Sequence, residues 1–230
     1  MKLSKQAFVA SVMSVAAGSS WSQTTDQLQV VGTIMSPACD VVLSNGGIVD
    51  FGDIARSTLS PTATTGIGSK QLDIDVQCNG KTNIAIKTTD TLTAADKPAG
   101  QMSFRFEQIT PGTVNLATDN IFGLGTSSNG MPIGGYAMRL GNVKVDTATV
   151  TVLGYNAAGP GTAFTTGGAT FNLSQTNKYF TALTPAAAFF SGENFKFPLD
   201  IAVSLDMSSK IPGQDDVRFN GKSTIEVVYL

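Results

Sequence analysis

Histidine is absent from all 230 residues. That removes the commonest general base, the usual zinc ligand and every Ser–His or Cys–His dyad. Any catalyst here would have to run on carboxylates or lysine alone. Charge is scarce as well. Only 14% of residues are charged and the formal net charge is -2, against roughly a quarter charged in an ordinary globular chain. Nothing in that balance suits a phosphate backbone, so nucleic acid is excluded as an expected partner. No apolar run reaches the ~20 residues that a bilayer-spanning helix needs. Helix signals are thin too: Pro185-Ala186-Ala187-Ala188-Phe189-Phe190 suits one turn started at proline and stopped at Gly192.

The longest apolar run lies in a secretion signal. Lys2 and Lys5 make a positive start, Ala7 to Ala17 an apolar stretch of small and branched residues, and Ser20-Trp21-Ser22 a small-residue cleavage site. Residues 1–22 are read as that signal. Its removal takes away two lysines, moves the net charge from -2 to -4, and removes Trp21, the single tryptophan. Cysteine occurs only at Cys39 and Cys78. In an exported chain a lone pair points to a structural disulfide rather than a metal or redox site. Closing that loop would stabilise the fold by about 4 kcal/mol on the chain-entropy model.

What is abundant is two-residue alternation. Leu72, Ile74 and Val76 alternate with Asp73, Asp75 and Gln77. Asn79-Gly80 then signals a turn before Asn83-Ile84-Ala85-Ile86-Lys87. Met102–Phe106, Tyr136–Leu140 and Val150-Thr151-Val152 repeat the pattern. The longest case is Phe195 to Leu205, with every odd position apolar. Its outward residues are Lys196, Pro198, Asp200, Ala202, Ser204 and Asp206, and Pro198 predicts an edge or a bulge. Residues 123–135 and 154–168, rich in glycine and threonine, read as long loops. The last six residues, Ile225-Glu226-Val227-Val228-Tyr229-Leu230, form another strand, with Ile225, Val227 and Tyr229 on one face. Leu28, Val30, Gly32 and Ile34 alternate near the other end. The fold class is all-β, a sandwich of one domain.

Candidate chemistry is sparse. Asp73 and Asp75 share a strand face, which reads as a solvated face rather than a carboxylate pair. Gly123-Leu124-Gly125 lacks the third glycine and the helix of a nucleotide loop. Asn172-Leu173-Ser174 is a lone glycosylation match, and Asp215-Asp216 lacks calcium-loop spacing. No catalytic residue, metal ligand or cofactor is assigned.

The order of motifs resembles a bacterial chaperone–usher pilin. An alternating segment follows the signal, Gly32 stands seven residues before Cys39, and Cys39 and Cys78 match the cysteines of that family's first two strands. Val49-Asp50-Phe51-Gly52-Asp53-Ile54 is similar to fimbrial subunits, and Tyr229 is the penultimate residue of a terminal apolar strand. The likeness covers both ends well and residues 95–190 poorly. Asp26 departs from it, standing where a donor segment usually carries another apolar residue.

The resemblance implies an immunoglobulin-like sandwich that lacks its last strand and is completed by a donated one. Residues 23–36 would be the donor-strand extension, with Leu28, Val30, Gly32 and Ile34 facing in, and residues 37–230 the pilin domain. Ile225, Val227 and Tyr229 would form the groove edge offered first to a periplasmic chaperone. At an outer-membrane usher the next subunit would take over. Neighbouring pilin subunits are the implied partners, and the fimbrium on the cell surface the implied location. Two other readings stay open: Leu28–Ile34 as the first strand of a self-complete sandwich, and the protein as a secreted glycan-binding or adhesive module. A secreted enzyme has only export in its favour.

Overall fold

The computed structural model describes residues 28–34, 37–176, 178–211 and 216–230. The expected signal over residues 1–22 lies outside the described residues, as do residues 23–27 and 35–36 of the expected extension. The chain divides into a unit ending at Met35 and a compact unit from Ser36 to Leu230.

In chain order the strands are β1 (Cys39–Leu43), β2 (Thr65–Thr82), β3 (Ile84–Asp90), β4 (Met102–Phe106) and β5 (Gly112–Leu116). There follow β6 (Phe122–Gly123), β7 (Gly134–Leu140), β8 (Val143–Val145), β9 (Ala148–Val150) and β10 (Val152–Asn156). The last five are β11 (Thr165–Thr166), β12 (Phe171–Asn172), β13 (Tyr179–Leu183), β14 (Gly192–Leu205) and β15 (Ser223–Tyr229). One sheet has the order β1-β2-β14-β7-β12, with β6 on β7 and β8–β9 beside β14. The facing sheet has the order β11-β10-β13-β3-β15, and β4-β5 is a separate hairpin. The all-β sandwich is therefore the observed fold. Its main core interleaves Leu72, Ile74, Phe197 and Leu199 of the first sheet with Ile86, Leu153 and Phe180 of the second.

Four expectations are corrected. Asn79-Gly80 is not a turn, because β2 runs on to Thr82. Cys78 to Lys81 form an irregularity where Gly192 pairs with Thr82 and Asn194 with Gln77, and the chain then crosses to the other sheet. Val150-Thr151-Val152 is not one strand but the crossing from β9 to β10, which lie in different sheets. Pro185–Phe190 makes a turn without a helix, with Ala187 at φ +60°. The glycine-rich stretches contain β6, β10 and β11 within or at their margins.

The outward face of β14 is the largest surprise. Asp200, Ala202 and Ser204 are fully buried, because the β4–β5 hairpin lies over them. Met102, Phe104, Phe106 and Leu116 pack there against Ile121, Ala137 and Ala202 as a second core. Beneath it Asp200 stands opposite Arg139 on β7. Asp200 Oδ2 accepts the N–H groups of Gln108 and Ile109, both at 2.9 Å. Arg139 donates to the carbonyls of Ile109 and Thr110 and lies 3.8 Å from the Phe106 ring centroid. Pro198 sits where the neighbour of β14 changes from β7 to β8, so its missing donor falls at a gap rather than at an edge strand.

Candidate functional site

β15 pairs only with β3, and β1 only with β2, among the described residues. Each sheet therefore ends in a strand with one open edge, and the two edges flank the same part of the core. Between them runs a cleft of about 430 Å³. Leu72, Met138, Leu199, Ile201 and Val203 of the first sheet form its floor. Ile225 and Phe219 stand on the β15 side, and Leu43, Val49 and Phe51 on the β1 side. Val49, Phe51 and Phe219 also line a second cavity of about 1030 Å³, which reaches Ile133, Leu205 and Ile211. The two cavities share those three wall residues, and the second is also lined by the charged side chains of Asp50, Asp53, Arg56, Asp216 and Arg218. The first cavity lies over the inner face of the first sheet, beside β15 at the end of the second.

One end of the groove is tied shut. Cys39 and Cys78 form a disulfide that fixes β1 to β2. The backbone N–H of Cys39 donates to the Tyr229 hydroxyl at 2.9 Å, joining the start of β1 to the end of β15 across the two sheets. Asn79 holds the same corner, its Oδ1 accepting the N–H of Ala38 at 2.9 Å. Ile225 and Val227 face the core and are half-buried, while Tyr229 is 46% exposed. The rims carry apolar side chains in water: Val42 is 62% and Ile48 70% exposed. Uncovered apolar edges of this kind favour strand pairing with another chain.

Midway the floor rises. The Tyr136 ring stacks on Phe122 with centroids 5.3 Å apart and fills the space under Gly221, where a Cβ would lie 2.5 Å from that ring. Only glycine fits there. Burial pushes the Tyr136 phenol up, the bond to Ser223 opposes this, and the charge of Asp90 adds to it. The phenol therefore stays protonated. Asp90 is itself fixed by the N–H groups of Leu92 and Gly123 and by Lys97 at 3.1 Å.

The four residues expected to donate a strand fall in the unit that ends at Met35. Leu28, Val30, Gly32 and Ile34 form no strand in the single chain. Leu28 is 92% and Val30 87% exposed. No described side chain or backbone atom lies within 4 Å of a Cβ built on Gly32. Sequence reasoning did not single out Tyr136 or Phe219 for the groove. Tyr136 was recognisable only as an inward strand residue, and Phe219 stands in a short alternation, with Val217, that forms no strand. The aspartate pair is an ion-pair site: Lys196 lies 3.1 Å from Asp73 and 3.0 Å from Asp75. Asn172 of the glycosylation match accepts from Arg139 at 3.1 Å. Among the described residues no cluster of three or more acidic, cysteine or histidine side chains is placed to hold a metal ion.

A family model described as "Protein of unknown function (DUF1120)" matches residues 28–137, from the exposed alternating segment through β1 and the disulfide into β7. The chain is similar to the uncharacterized protein YhcF of Escherichia coli (strain K12), 28% identical over 220 residues, covering 88% of this chain and 90% of that protein. It is also similar to Protein GltF of the same organism, 26% identical over 248 aligned residues, covering 97% and 96%.

Proposed function

We propose that this protein is a structural subunit of a surface fibre, in which the segment around Leu28–Ile34 of one copy fills the groove of another. The observation that carries this reading is the groove itself. An apolar cleft lies open beside the free edge of β15, in a chain that also presents an exposed alternating apolar segment. The physics is β-augmentation: ladder bonds to β15 supply affinity and alternate side chains set the register. Each of Leu28 and Val30 would gain about 1.5–3 kcal/mol on burial. Each new ladder bond would add about 0.5–1.5 kcal/mol.

Run antiparallel to β15, the segment would turn Leu28, Val30 and Ile34 toward the cleft, with Gly32 where two backbones approach closely. The sandwich becomes the incomplete immunoglobulin-like type, finished by its neighbour. Export through the periplasm, a chaperone that shields the groove beforehand, an outer-membrane usher and a role in cell adhesion belong to the same proposal.

The test is refolding of the mature chain followed by size-exclusion chromatography, with and without excess synthetic peptide of residues 24–34. Head-to-tail multimers that the peptide caps to monomers are expected. A clean monomer indifferent to the peptide would overturn the proposal and favour the secreted glycan-binding or adhesive module.

A further inference from the structure

Four asparagines in this chain precede glycine: Asn45, Asn79, Asn129 and Asn220. Glycine leaves the following amide nitrogen unshielded. That nitrogen can attack the asparagine Cγ, lose its proton and expel ammonia, closing a succinimide. Water then opens the ring to aspartate or isoaspartate.

The structure separates the four. Asn79 lies within β2, and its Oδ1 accepts from Ala38. The Asn129 side chain is held by Ser127 and by the N–H of Met131. Both amides are fixed away from the attacking nitrogen. Asn45 and Asn220 are exposed and outside strands, and their side-chain amides make no hydrogen bond to the described residues. Asn45-Gly46 forms the tip of a turn after β1, with φ of 52° and 62°. Asn220-Gly221 lies on the groove wall, and the packing of Gly221 against Tyr136 forbids any other residue there.

We propose that Asn45 and Asn220 are spontaneous deamidation sites, and that at Asn220 the reaction places a carboxylate on the mouth of the apolar groove. An empty groove thereby carries a chemical clock. That a filled groove stops the clock at Asn220 rests on the strand-exchange reading above. A strand seated in the groove would cover this wall and hinder the bend that ring closure needs.

Peptide mapping after incubation of the mature Val30→Asp chain, which cannot fill a neighbour's groove, in mildly alkaline buffer tests this. The mass gain of an amide-to-acid conversion is expected at positions 45 and 220 several-fold sooner than at 79 and 129. Equal rates at all four positions, or unmodified Asn45 and Asn220, would overturn it. A parallel sample saturated with the peptide of residues 24–34 should lose the signal at 220 and keep it at 45. If the peptide changes nothing while 45 and 220 still react, the deamidation sites stand and the exchange reading fails.

Discussion

Asp146 shows how much one side chain can organise in a chain with few charges. It sits between β8 and β9 with φ +51°, and its Oδ1 accepts the N–H of Glu193 at 3.1 Å and of Asn194 at 2.9 Å. These bonds meet β14 where its register with β2 shifts. The N–H of Asn194, opposed by slight desolvation and helped by Glu193, holds the carboxyl below its ordinary value of 3.8. A carboxyl lowered on folding stabilises the fold above its unfolded value, and that contribution is lost as pH falls through the folded value. Asp146→Asn should therefore lower the melting temperature at neutral pH, and the gap from wild type should close as the pH falls below 3.8. A gap that persists unchanged in acid would mean that the charge contributes nothing.

At the scale of elements, the β4–β5 hairpin and the groove lie on opposite faces of the first sheet. Phe104 is fully buried in the second core, so Phe104→Ala should destabilise the chain by about 3–5 kcal/mol in urea titration. Groove residues Leu199 and Ile201 point the other way, so the truncated variant, once folded, should still accept the peptide of residues 24–34. Loss of acceptance without loss of stability would show that the two faces are coupled. The hairpin was legible only in part. Met102–Phe106 alternates as a strand should, but no local signal says that it covers Asp200 and Ser204 rather than extending a sheet edge. The buried Arg139–Asp200 arrangement was equally silent, because both residues look like the polar half of an amphipathic strand.

For the whole molecule, the strand-exchange proposal gives each chain one groove and one donor segment, a heterologous contact that would propagate instead of closing unless two copies exchanged reciprocally. Val30→Asp tests this directly. It forces a carboxylate toward an apolar groove, which costs several kcal/mol without a partner. Val30 is exposed in the single chain, so the variant should fold with an unchanged melting temperature and fail to form multimers by size exclusion. A variant that unfolds as an isolated monomer would make Val30 an ordinary core residue and end the fibre-subunit reading. The disulfide should be present throughout: its separation of 39 residues closes a loop worth about 4 kcal/mol.

By itself the sequence determined the class of structure. Two-residue periodicity commits Leu72–Val76, Phe195–Leu205 and Ile225–Tyr229 to strands, because side chains on a strand alternate between faces whatever the strand pairs with. A lone cysteine pair in a chain expected to be exported likewise pointed to the Cys39–Cys78 bridge. Tertiary structure alone decided which strands became neighbours. Pairing depends on backbone groups that every residue carries alike, so no local pattern reports that β2 turns from one sheet into the other at Asn83 or that β15 ends as an open edge. The groove belongs to that second kind of information. Its floor gathers Leu72, Tyr136, Met138 and Leu199 from distant parts of the chain.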